Sequence, residues 1–252
     1  MDKKIRVAAV SYLNTKPLTY GFEHGMMQDQ VELVFDYPAN VADMLLNNRA
    51  DIGLVPVAIL PRMKEYYLVS DFCIGASGPV ASVCLFSDVP VNEIRRVLLD
   101  YQSRTSVALL KVLLSEHWGI SPELVNTTAG FQHQIGGSTA GLVIGDRALI
   151  QQQKSTYVYD LAEAWLTMTG LPFVFAAWVA NKQLPAAFLD QFNRATGEGL
   201  SHLEEIARSQ VFEHADLYAY YTRNIDYIFD LQKRKGMELF HEKMRNTGMY
   251  IR

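Results

Sequence analysis

The side chains able to hold an anion or steer a proton gather in four short segments, each beside an apolar run. Ser11-Tyr12-Leu13-Asn14-Thr15-Lys16-Pro17 offers hydroxyls, an amide and the free N–H groups of a helix start, with Pro17 fitting the first turn, where no N–H is needed. Gln102-Ser103-Arg104-Thr105-Ser106 repeats that chemistry before a longer apolar helix. There the hydroxyls, the backbone N–H groups and the positive end of the helix dipole converge on an anion, most economically a carboxylate. Arg104 adds a charge-assisted bond if it faces inward. Gly78-Pro79-Val80-Ala81-Ser82 brings Ser82 to the head of another apolar run, and Gly145-Asp146-Arg147 ends a fourth. Each has a plainer reading. Asn14, Thr15 or a hydroxyl of 103–106 can serve as a helix cap, Asp146 likewise, and Ser82 can be an ordinary strand serine. Asp51 reads as a turn residue. His133, in a loop at 131–134, is the one histidine placed to act as a base; otherwise it is a solvated loop residue.

The chemistry not represented narrows the reading. There is no GxSxG nucleophile elbow, no phosphate-binding GxxxxGK[ST] and no GxGxxG after a strand, and the six histidines form no HxxxH or HxH pair. Cys73 and Cys84 lie in apolar strand-like runs and read as small buried hydrophobes. No nucleotide, metal or other cofactor is expected. Lys and Arg number 23 against 27 Asp and Glu, a net charge of -4, which argues against a nucleic-acid partner. No apolar run approaches the ~18 residues that span a bilayer, so no membrane partner is expected. The first residues lack a secretory apolar segment, which predicts a cytoplasmic protein.

Positioning these segments falls to alternating strands and helices. Runs at 5–10, 31–37 and 51–57 read as strands separated by helices, the second helix at 39–48. The same grammar returns at 96–100, a helix at 105–118, then strands at 124–127 and 142–146 and helical residues at 147–153. This predicts an α/β protein of two lobes, each a mostly parallel sheet flanked by helices. A strand at 80–86 and its return partner at 173–180 are expected to connect them. The expected boundaries are residues 1–86 plus 180–252 for the first lobe and 87–179 for the second, with the ligand cleft between. Helices follow from 185 onward, and the Tyr-rich stretch 217–221 is expected to pack in the core.

Six collinear blocks carry a resemblance: 10–18, 51–57, 78–83, 103–106, 143–149 and 170–178. Together they resemble the chorismate dehydratase family of the futalosine route to menaquinone. The resemblance implies a fold like that of type II periplasmic solute-binding proteins, and conversion of chorismate to 3-[(1-carboxyvinyl)oxy]benzoate by loss of water. It implies Asn14 as the catalytic residue, with Ser11, Ser82, Ser103, Thr105 and Ser106 binding the substrate's two carboxylates and Arg104, Gly145 and Asp146 beside them. An amide is too weak a base to take a C–H proton, so the substrate's own enolpyruvyl carboxylate is the expected base, His133 its rival. The stretch 136–141 is more glycine-rich than the family pattern. Two alternatives share the fold: a cytoplasmic binding or sensing protein for a small aromatic or dicarboxylate ligand, and the naphthoate-forming enzyme of the same pathway.

Overall fold

The computed structural model describes residues 4–246. The chain begins with β1 (Ile5–Val10), α1 (Lys16–Glu23), β2 (Val31–Asp36), α2 (Pro38–Leu46), β3 (Ile52–Pro56) and the long β4 (Tyr67–Ala76). It then passes into β5 (Val83–Ser87), β6 (Arg96–Leu99), α3 (Arg104–Glu116), β7 (Glu123–Asn126), β8 (Thr139–Ile144), α4 (Asp146–Gln151), β9 (Tyr157–Asp160) and α5 (Leu161–Thr169). It returns through β10 (Phe173–Ala180) and ends in α6 (Ala186–Gly197), α7 (Leu203–Ser209), the short α8 (Leu217–Ala219), β11 (Asp226–Ile228) and α9 (Leu231–Asn246).

Two sheets result, in strand orders β11-β4-β10-β3-β1-β2 and β7-β6-β8-β5-β9. In the first, β1 lies parallel to β2 and β3, while β10 runs antiparallel to β3 and β4. In the second, β6 lies parallel to β7 and β8, and β5 runs antiparallel to β8 and β9. All residues of β3, β5 and β10 are buried, as expected for strands covered on both faces by helices. Among the described residues no helix is long and apolar enough to cross a membrane.

The topology corrects one expected pairing. Residues 80–86 and 173–180 do not return against each other: β5 starts at Val83 and joins the second sheet, while β10 joins the first. The lobes are therefore joined through 77–82 and 170–172, a few residues before the expected 86/87 and 179/180 boundaries. Both strands are continuously apolar, and such a run carries no alternation to say which neighbour it pairs with. Elements outside the expected set include β4, of which the sequence marks only the apolar run around Cys73, and β9, α5 and β11. β9 and β11 are only four and three residues long. α5 is started by Asp160, whose carboxylate accepts from the N–H groups of Ala162 and Glu163.

The glycine-rich stretch also resolves. β8 begins at Thr139, earlier than the expected 142, and Gly141 sits beneath the 131–135 segment, where a Cβ would lie 2.5 Å from Ile135 Cδ1. Its glycine serves close packing within the second lobe. Cys73 and Cys84 are buried, and burial holds both thiols well above their usual range.

Candidate active site

The carboxyl ends of β1, β3 and β8, the start of α3 and the 77–82 connection meet around one cavity between the lobes. Its volume is about 50 Å³. Tyr12, Asn14, Ser82, Ser103, Ser106 and Gly145 supply its polar side, and apolar residues including Ile74, Val80 and Phe175 supply the rest. Among the described residues no charged side chain lines it. The favourable potential for an anion comes from the N-terminus of α3, thirteen residues long, which opens at Ser103.

Each predicted residue has a definite place. Asn14 is buried in a short 3-10 turn, Leu13–Thr15, and no side-chain cap bond is made at the start of that turn or of α1, so the capping reading fails there. Its Oδ1 accepts from Thr15 Oγ1 at 3.3 Å. Ser103 caps α3, accepting from Ser106 N–H at 3.1 Å, and lines the cavity as well; its hydroxyl donates to Ser106 Oγ at 2.8 Å. Ser82 is fully buried and lines the cavity. Gly145 lines it with φ +64, and a Cβ there would lie 3.0 Å from the Tyr12 ring, so both conformation and contact call for glycine.

Four of the expected residues stand outside the lining. Ser11 is exposed just beyond the end of β1, and its neighbour Tyr12 lines the cavity instead. Arg104 points away and pairs with Asp43 of α2 at 2.9 Å. Thr105 is buried, but its Oγ1 accepts from Ala58 N–H at 3.1 Å, a bond between lobes. Asp146 is the first residue of α4 rather than its cap, and its Oδ1 accepts from Leu13 N–H at 3.1 Å, again across the lobes. Burial raises its pKa above the usual carboxylate range. His133 is exposed on the 131–134 turn and does not line the cavity.

Behind the polar wall lies a network that sequence reading missed. The Arg147 guanidinium donates to both oxygens of buried Asp100, at 3.0 and 2.9 Å, and to Gln102 Oε1 at 2.5 Å. The Tyr12 hydroxyl donates to the same Gln102 oxygen, and burial pushes its pKa up, so it stays protonated. Tyr220, from the 217–221 stretch expected only to pack, and Tyr227 of β11 reach Ser82 Oγ at 2.7 Å and the Asn14 carbonyl at 3.1 Å. Tyr12 lies in a segment already marked by its chemistry. Nothing local marks Tyr220 or Tyr227, which arrive from more than 130 residues away in sequence.

The 77–82 connection is itself gripped. Ala81 adopts φ +62, a strained value for a residue with a Cβ. Asp160 accepts from its N–H at 2.7 Å, and Gln152 donates to its carbonyl at 2.6 Å. These bonds hold the turn that carries Ser82 to the cavity wall.

Comparison with known proteins agrees with this architecture. The chain matches the family model described as menaquinone biosynthesis over residues 5–246. It is 30% identical to the chorismate dehydratase of Thermus thermophilus, over 92% of each chain. A crystal structure of an Archaeoglobus fulgidus protein superposes with a TM-score of 0.72 at 16% identity, covering 98% of both chains. A Candida albicans gene product described as having the generic periplasmic binding protein structural fold gives 0.65 at 10% identity, covering 96% of this chain and 95% of its own. These structural likenesses establish the fold, two lobes of the periplasmic-binding-protein kind. With the family match running the length of both lobes, the chain belongs to the menaquinone biosynthesis family.

Proposed function

We propose that this chain is a chorismate dehydratase whose active site is the cavity between its lobes. One observation carries the reading: Asn14, Ser82 and the Ser103–Ser106 helix start, from three separate parts of the chain, share that cavity with an apolar wall. Chorismate presents a ring carboxylate, an enolpyruvyl carboxylate and a C4 hydroxyl on a cyclohexadiene. Breaking the C3–H bond leaves an electron pair that forms the new ring double bond as the C4 hydroxyl departs. Water and 3-[(1-carboxyvinyl)oxy]benzoate result. The gain in aromatic character drives the reaction.

The protein's part is then selection and orientation. Ser103, Ser106 and the first N–H groups of α3 hold one carboxylate, while Asn14 and Ser82 hold the other end of the substrate. Phe175, Ile74 and Val80 face the ring. Fixing the conformer so that the departing groups align is worth several kcal/mol, with ~7–11 as the limit in ideal intramolecular cases. Asn14 positions the leaving hydroxyl, and the enolpyruvyl carboxylate takes the C3 proton. The exposed position of His133 favours this over a histidine base. Asp146 acts on the site through Leu13, whose N–H it holds. The reading places the protein in the cytoplasm, because a dianion does not cross a bilayer unaided.

The test is incubation of the purified chain with chorismate, followed by ultraviolet absorbance and mass. A product lighter by one water with its enolpyruvyl group intact is expected. Chorismate that binds yet is recovered unchanged makes this a ligand-binding protein and defeats the proposal.

A further inference from the structure

The hydroxyl of Tyr220 meets the Ser82 hydroxyl at 2.7 Å in a fully enclosed contact: Tyr220 is 2% exposed and Ser82 0%. Tyr220 does not line the cavity; Ser82 does. A serine hydroxyl has one proton and two lone pairs, so which group it donates to decides what it can offer a ligand. The phenol is the stronger acid of the two and is therefore the donor in this pair. Ser82's other near contact, the Val80 carbonyl, stands at 3.5 Å, too far to compete well for its proton. The Ser82 proton is left for whatever occupies the cavity.

The Asn14 side chain turns its Oδ1 to accept from Thr15 Oγ1. The bonds run in one sense, from Tyr220 to Ser82 and from Ser82 into the cavity. Burial pushes the Tyr220 pKa far above the usual phenol range, so the link keeps its proton at any working pH.

We propose that Tyr220 is a positioning residue for the dehydration, holding the Ser82 hydroxyl turned toward the substrate. The proposal rests on reading the cavity as the chorismate site. Its local structure supports a dedicated placement: Tyr220 opens a single π turn, Tyr220–Asn224, closed by the Ile225 N–H to Tyr220 carbonyl bond at 3.1 Å. Isolated π turns within helical segments recur at functional sites. Ser82 lies on the connection between lobes, so the phenol fixes a group that the connection delivers to the cavity wall. The adjacent Tyr221 is equally buried, yet its hydroxyl has no partner among the described residues. It is a built-in control.

The experiment is a double-mutant cycle in the full chain with Tyr220→Phe and Ser82→Ala, and Tyr221→Phe as control. Tyr220→Phe removes one oxygen and no packing. It is expected to lower kcat about tenfold with KM changed less than about threefold, the loss of roughly one hydrogen bond made in the transition state. With Ser82 already alanine, adding Tyr220→Phe is expected to cost less than about twofold more. Tyr221→Phe is expected to leave both constants unchanged. A Tyr220→Phe enzyme with wild-type kcat, or single losses that simply multiply in the double variant, overturns the proposal.

Should Tyr220→Phe not fold, 3-fluorotyrosine at position 220 keeps the shape and strengthens the donor. A kcat shifted by about threefold or more then supports the link, and an unshifted one overturns it. The two readings fail separately. A wild-type chain inert toward chorismate defeats the assigned activity, and the same cycle read by calorimetric titration of chorismate then decides the Tyr220–Ser82 coupling alone.

Discussion

Asn14 has an amide where an enzyme that strips a C–H proton would ordinarily hold a carboxylate or histidine. Its neighbours fix that amide from several directions: Thr15 on the side chain, Tyr227 on its carbonyl, and Asp146 on the N–H of the preceding residue. On the proposed reading, such preorganisation serves orientation of a leaving group rather than proton abstraction. Asn14→Ala is therefore expected to lower kcat by at least about a hundredfold, the scale seen on removing a preorganised transition-state contact. Chorismate binding, measured by calorimetry, should persist within about tenfold of wild type, because the contacts proposed for Ser103, Ser106 and the α3 N–H groups remain. His133→Ala should leave turnover unchanged. Steady-state rates decide the matter: an inactive His133→Ala beside an active Asn14→Ala reverses the assignment.

The elements hold the site through ties made from the C-terminal region. α9 places buried His241 so that its Nε2–H donates to the Val57 carbonyl at 2.8 Å, just beyond β3. Burial lowers the His241 pKa from its usual 6.5. The unfolded chain thus takes up this proton first as pH falls. Stability contributed by the neutral ring is present above about pH 6.5 and is lost as pH drops through the lower folded-state value. Melting temperatures followed from pH 7.5 toward 5 should fall less steeply in His241→Gln than in wild type; equal slopes would refute the linkage. At the sheet edge, Lys233 is fully buried and donates to Asp226 at 2.5 Å and Asp230 at 3.4 Å. Asp226→Asn leaves a buried cation half-paired, with an expected loss of about 1–3 kcal/mol in denaturant unfolding. Asp226 and Asp230 are partly exposed, which keeps the cost toward the lower end.

At the scale of the whole molecule, the lobes are closed. A volume of about 50 Å³ is far below the ~300–1,000 Å³ of pockets that enclose small ligands, too small for a cyclohexadiene dicarboxylate. Substrate therefore enters by parting the lobes. The bonds that cross between them are individually weak, among them Ala58 N–H to Thr105, Leu13 N–H to Asp146, and the Arg104–Asp43 pair. Buried hydrogen bonds contribute ~1 kcal/mol each and a half-exposed ion pair ~0–1, so closure is reversible on these terms. Small-angle scattering of the free chain is expected to give a larger radius of gyration than this closed arrangement, shrinking on saturation with the benzoate product. A free chain already as compact as the closed form, and unchanged by product, contradicts entry by lobe opening.

Sequence alone determined the local grammar and the chemistry on offer. The strands at 5–10, 31–36 and 96–99, the long helix after 103 with its Ser103 cap and the polar segment at Asn14 were legible, because periodicity and polar composition are written within a few residues. The tertiary structure alone decided which buried strand pairs with which, and which of several adjacent polar residues turns inward. Tyr12 faces the cavity and Ser11 does not; Ser103 and Ser106 line it, while Arg104 and Thr105 join the lobes. The reason is physical. A side chain's direction depends on strand register and on partners far away in sequence, as when Tyr220 comes to Ser82 across 138 positions.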